Sequence, residues 1–185
     1  MEELSLHIID LVENAVSAGA SYIRIIVEIS EAKDKLKMVV EDNGRGMTPE
    51  EIKQALDPFG TTKSGKKVGL GIPLLAQTAE LCSGELRIES KKGKGTKVIA
   101  EMKLKHIDRP PLGDLASTFF TLIFGHPDID FFIKVKTDYG EVKIDTTEIK
   151  KAIGREAFSH PEVISFMREK IERELNDTLK GGKEI

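Results

Sequence analysis

The chain has 185 residues, 39% of them hydrophobic and 32% charged, with a formal net charge of −3, which suits one ordinary domain or two small ones beneath a charged surface. Lys and Arg are scattered rather than gathered on one face, which argues against a nucleic-acid partner. The acidic start Met1-Glu2-Glu3 and the lack of an apolar run of about 18 residues argue against a signal peptide and a membrane span, and the single cysteine, Cys82, fits a reducing cytoplasm.

Leu4, Ile8, Leu11, Val12, Ala15 and Val16 recur at helical spacing, which predicts an amphipathic helix over residues 3–18, with Gly19 suited to its C-terminal cap. Ile23, Ile25, Val27 and Ile29 alternate as in a strand with one buried face, and Leu36, Met38 and Val40 mark a second strand after a turn at Glu31–Lys35. Thr48-Pro49-Glu50-Glu51 opens a helix with Pro in its first position. Residues 57–71 hold Gly60, Gly65, Gly69 and Gly71 and read as a long loop, followed by a helix over 72–82 that places Cys82 as a buried residue at its end. Leu86 and Ile88 mark a strand, Lys91–Gly95 a turn, and Val98, Ala100, Met102 and Leu104 the returning strand. Composition shifts at Pro110-Pro111, and seven of the eight phenylalanines lie beyond residue 118. A helix over 112–124, a hairpin pairing 131–137 with 141–145, and a last helix over 161–180 make residues 107–185 a helix-hairpin-helix extension to a first unit at 1–106.

Four elements carry candidate chemistry. On the first helix Asp10 and Asn14 stand one turn apart, with His7 and Ser17 extending the line; the same stripe could simply face water. Asp42 ends the second strand, where open α/β sheets bind ligands, and its carboxylate could accept a hydrogen bond from an exocyclic amine such as adenine N6. Gly44 and Gly46 would let a flat ring lie against the backbone, although Asp42-Asn43-Gly44 also reads as a plain turn. The loop Phe59–Gly71 offers hydroxyls, backbone amides and Lys63, Lys66 and Lys67 to an anion before a helix start, or is a solvated loop. It has neither Walker nor Rossmann spacing. Gly93-Lys94-Gly95-Thr96 alone is a hairpin turn.

In this order and spacing the four elements resemble the signature of the GHKL superfamily, which includes histidine kinases, DNA gyrase, MutL and heat-shock chaperone ATPases. Leu11–Ala15 with Ala18–Ser21 resembles its N-box in the MutL-like form, and Glu41–Met47 its first glycine box. Pro58–Lys63 with Gly69-Leu70-Gly71 resembles the F-box and second glycine box of histidine kinases, and Gly95-Thr96 the last box. The resemblance covers residues 4–104. It implies a two-layer α/β sandwich of the Bergerat type, binding ATP through Mg²⁺. It gives Asn14 to the metal and Asp42 to adenine, supported by Thr96. Ala18, Gly44, Gly46, Met47, Thr61, Thr62, Lys63, Gly69, Leu70 and Gly71 become further nucleotide contacts, with residues 57–71 as a lid.

Two departures shape the functional expectation. Where hydrolytic members place a catalytic Glu one turn before the Asn, this chain has Asp10, a shorter carboxylate suited to weak turnover. Glu13 is a second candidate base, but points about 100° away around an ideal helix. Only three residues precede the first helix, so the phosphoacceptor hairpin of a sensor kinase is not expected, His7 is a poor substrate, and His106, His126 and His160 read as structural. The first expectation is therefore a stand-alone, cytoplasmic ATP-binding regulator that phosphorylates or switches a separate protein. A slow ATPase whose nucleotide state controls dimerisation, and a non-catalytic nucleotide-binding scaffold, are the alternatives.

Overall fold

The computed structural model describes residues 3–59 and 70–180. Its helices are α1 (Leu4–Ser17), α2 (Pro49–Leu56), α3 (Gly71–Leu81), α4 (Leu115–Gly125), α5 (Thr146–Ile153), α6 (Arg155–Phe158) and α7 (Pro161–Leu179). Its strands are β1 (Tyr22–Ser30), β2 (Lys35–Asp42), β3 (Glu85–Lys91), β4 (Gly95–Met102), β5 (Asp130–Thr137) and β6 (Gly140–Asp145). The strands form one sheet in the order β3-β4-β2-β1-β5-β6, antiparallel throughout except for the parallel β1–β5 pair. Helices α1, α3, α4 and α7 share a core with one face of it, giving the expected two-layer α/β sandwich.

Strand alternation decides which face is buried. Ile23, Ile25, Val27 and Ile29 of β1 point into the core, and Phe131, Ile133 and Val135 of β5 continue the same rows across the parallel pair. Leu4, Ile8, Leu11 and Val12 seat α1 on that surface, and full burial of side chains of this size stabilises by about 1.5–3 kcal/mol each. His7, one turn before Asp10, is 2% exposed and among the buried residues of α1, so this end of the polar line does not face open water.

The chain beyond residue 106 is built onto the same sheet. The first turn of α1 has no side-chain cap; instead the Leu4 N–H donates to the Pro111 carbonyl at 2.9 Å and the Ser5 N–H to the Leu112 carbonyl at 3.0 Å. The connecting segment is itself held by Arg109, whose guanidinium donates to the carbonyls of Leu104 and Pro110. The expected helix and hairpin follow, but two short helices that were not expected, α5 and α6, stand between the hairpin and α7. Asp145 caps α5 by accepting the Thr147 N–H at 2.9 Å.

Candidate functional site

Register brings three polar side chains into one row. Asp42 stands opposite Thr96 in the β2–β4 ladder, and Thr96 opposite Ser90 in the β4–β3 ladder. The next row on the same face is Val40, Val98 and Ile88, so the polar row opens on the helix-covered side, where the core ends. Asp42 Oδ1 accepts the Gly44 N–H at 2.7 Å. Burial pushes the Asp42 carboxyl above its ordinary pKa; hydrogen bonds from the backbone of Gly44 and Thr96 pull it back only in part, and neighbouring Glu41 adds to the rise.

The glycine box is held backbone to backbone. Gly44 is buried, and a Cβ there would meet the Ala18 carbonyl oxygen and Asp42 Oδ1, both at 2.9 Å. Gly46 has φ +66, and a Cβ would lie 2.0 Å from the Lys91 carbonyl oxygen; at Gly95, with φ +92, it would lie 1.9 Å from the Asp42 carbonyl oxygen. Both positions therefore require glycine on steric and conformational grounds together. Ala18 accepts the Arg45 N–H at 3.0 Å, and Asn43 Oδ1 accepts the Ser21 and Tyr22 N–H groups, each at 2.9 Å. The box is thereby clipped to the turn between α1 and β1.

Ser90 was not among the residues the motifs singled out. Its Oγ accepts the Met47 N–H at 2.8 Å, donates to the Gly95 carbonyl at 2.9 Å, and lies 2.8 Å from Thr96 Oγ1. It thus joins the first glycine box to the last. The Lys91–Gly95 turn held the clue, because closing that hairpin sets Ser90 opposite Thr96.

The remaining candidates lie on α1 and α3. A Cβ added at Gly71 would stand 2.7 Å from Asp10 Cβ, which places Asp10 at the start of α3. Asn14 follows one turn along α1, half-buried, and exposed Leu70 precedes Gly71. Asp10, Asn14, Ala18, Asp42, Gly44, Gly46, Met47, Leu70, Gly71 and Thr96 are thus all described, whereas Thr61, Thr62, Lys63 and Gly69 lie outside the described residues. Glu13 is engaged elsewhere: its Oε1 lies 2.8 Å from His126 Nε2 at the end of α4. A surface hollow of about 420 Å³, lined by Lys33, Ser83, Gly84, Glu101 and Lys103, sits at the opposite ends of β2 and β4 from Asp42 and Thr96. Its mixed charges converge on nothing, and we do not assign the site to it.

Asn14 offers one neutral oxygen. Magnesium keeps several waters and is commonly held by one or two protein groups together with substrate phosphates, so this donor suits a metal that arrives on a nucleotide. Among the described residues, no three His, Cys, Asp or Glu side chains are grouped to hold a metal by themselves, and no helix is long and apolar enough to cross a membrane.

The family described as histidine kinase-, DNA gyrase B-, and HSP90-like ATPase matches residues 2–106. Among curated proteins, the chain is 32% identical over 97 residues to sporulation kinase C of Bacillus subtilis, covering 52% of this chain and 22% of that protein. It is 36% identical over 90 residues to the sensor protein kinase FleS of Pseudomonas aeruginosa, covering 48% and 22%. The match to these relatives spans less than a quarter of their length. Among solved structures, the MutL ATPase domain of Aquifex aeolicus complexed with ADP is 17% identical, with a TM-score of 0.44, covering 84% of this chain and 68% of that one.

Proposed function

The chain belongs to the family of histidine kinase-, DNA gyrase B- and HSP90-like ATPases, and on that premise we propose that it binds Mg-ATP and uses it to phosphorylate or switch a separate protein. The observation that carries this reading is the Asp42 carboxylate, half-buried at the end of β2 beside a buried glycine floor. It accepts the adenine amine; Thr96 supports that contact, and the ring lies over Gly44, Gly46 and Met47. From there the nucleotide tail runs toward α1 and the start of α3. Asn14 would hold a Mg²⁺ that arrives with the phosphates, and the amides following Leu70 and Gly71 would face the phosphate charge. When bound, the metal neutralises phosphate charge and aligns the tail. Thr61, Thr62, Lys63 and Gly69 complete the phosphate contacts in this reading.

Residues 107–185 serve as the partner or signal-binding part, joined to the site through the turn at Ser21 and Tyr22. A reducing cytoplasm suits the buried thiol of Cys82. Titration calorimetry with Mg-ATP tests the reading at its base: saturable binding by the wild type and loss of it in Asp42→Asn is the expected result. Labelled phosphate appearing on a candidate partner would then establish transfer.

The position of Asp10 against Gly71 favours a second reading, slow ATP hydrolysis controlling self-association. A carboxylate at this end of the nucleotide tail can orient water. Turnover that Asp10→Ala abolishes, with affinity kept, would select it; no turnover in either protein would remove it.

A further inference from the structure

The polar row contains a proton count that decides which nucleobase it accepts. Ser90 Oγ has one proton and accepts at its lone pairs. The Met47 N–H can only donate to it, and the Gly95 carbonyl can only accept from it. The serine proton is therefore spent on Gly95, and the 2.8 Å contact with Thr96 Oγ1 must be donated by Thr96. The threonine hydroxyl is left with lone pairs alone for anything entering beside Asp42, its direct neighbour across the ladder.

We infer that Ser90 is a specificity-determining positioning residue: by holding the Thr96 proton it makes the corner that faces the 6-position of the base acceptor-only, so that position takes the amine of adenine and opposes the carbonyl of guanine. The inference rests on the nucleotide-binding reading given above. Adenine presents an exocyclic amine to Asp42 and Thr96, directly or through one water that donates to both. Guanine presents a carbonyl oxygen at the equivalent position, which would face two acceptors with no proton between them. A free threonine hydroxyl would rotate and donate to that carbonyl, and Ser90 withholds this freedom. Backbone contact fixes the arrangement, because the close approach of Gly95 to Asp42 and of Gly46 to Lys91 leaves Met47 and the Gly95 carbonyl little room to shift.

The test is titration of the full chain with Mg-ATP and Mg-GTP in four forms. Wild type should prefer ATP. Ser90→Ala should narrow the ATP-to-GTP ratio about tenfold, the scale of one neutral hydrogen bond, chiefly by improving GTP. Ser90→Thr, which keeps the hydroxyl, should retain the ratio. Thr96→Val should weaken ATP without improving GTP, since it removes the acceptor and supplies no donor. Ser90→Cys, nearly isosteric with a weak donor and acceptor, should shift the ratio as Ser90→Ala does and carries the test if the alanine variant does not fold. A ratio unchanged in a folded Ser90→Ala or Ser90→Cys protein that still binds ATP overturns this inference alone. Wild type that binds neither nucleotide overturns the underlying reading, and this inference with it.

Discussion

Asp42 and Asp130 stand at the same end of β1, one on either side: Asp42 pairs with Ile23 and Asp130 with Tyr22. Both carboxyls are half-buried. Asp130 is compensated by two cations, Lys150 Nζ at 2.9 Å and Arg155 Nη2 at 3.2 Å. Burial alone would raise its pKa, but Lys150 and then Arg155 outweigh that and hold it below the ordinary value. Asp42 has backbone amides and no cation among the groups that shift it, and its pKa is raised. A carboxylate paired with buried Lys150 fastens β5 to α5. One left with spare lone pairs at the mouth of a glycine floor is set to receive a ligand. The difference lies in the partners each acid has, not in its residue type.

Breaking the compensated partner should give the largest effect. Lys150 is 4% exposed, and its ammonium also donates to the carbonyls of Pro127 and Ile129, each at 2.9 Å. Lys150→Met leaves those carbonyls and a shielded carboxylate without their donor, and should cost about 3 kcal/mol of unfolding free energy in a denaturant titration. Mg-ATP affinity of the folded fraction should stay within about twofold of wild type. A loss of affinity without a loss of stability would reverse the roles given to the two aspartates.

Asp42→Asn should do the opposite. Nucleotide affinity should fall by about a hundredfold, the scale of a hydrogen bond to a charged group, while the melting temperature stays equal or rises. The sign follows from linkage: a raised folded pKa means that the ionised carboxylate costs stability at neutral pH, and asparagine removes that cost. A clear drop in melting temperature would mark Asp42 as a structural acid.

Acidification sharpens the contrast. The stabilising share of Asp130 is complete above the ordinary aspartate range and is lost as pH falls through its lowered folded value. Asp42 takes up its proton at higher pH than an ordinary aspartate, which favours the folded chain but removes an acceptor from the site. Wild-type affinity for ATP should therefore begin to decline above the usual aspartate range. Asp42→Asn, titrated in parallel so that phosphate ionisation cancels, should lack that component. Superimposable pH curves for the two proteins would remove the acceptor role.

Much of this was legible in the chain because it is local. Alternation in Ile23–Ile29 fixed the buried face of β1, and Thr48-Pro49-Glu50-Glu51 announced the start of α2, where the structure adds a capping box in which Thr48 and Glu51 each accept the other's backbone N–H. Gly44 and Gly46 read as room for a flat ring and Gly95 as a turn; all three also stand at close approaches to neighbouring backbone, which composition alone does not show. The parallel pairing of β5 with β1 was not legible: Phe131, Ile133 and Val135 declare a strand, but a partner so far upstream leaves no local mark. His7 escaped for a related reason. Its spacing from Asp10 marks a shared line on the helix, and only the packing of α1 on the sheet decides that this end of the line is buried. Ser90 was within reach, but its meaning required the register of the hairpin and not its composition.

The smallest effect concerns the acid next to Asn14. Glu13 meets His126, with side chains 53% and 23% exposed. An exposed pair of this kind contributes between about 0 and 1 kcal/mol, so Glu13→Gln should change unfolding free energy by less than about 0.5 kcal/mol. It should leave ATP affinity unaltered, because its carboxylate is already turned toward His126 at the end of α4. If the protein hydrolyses ATP, the rate in Glu13→Gln should match wild type while Asp10→Ala loses it. A rate that depends on Glu13 instead would move the water-orienting role to a carboxylate that must first leave His126, and would tie turnover to the elements packed beyond residue 106.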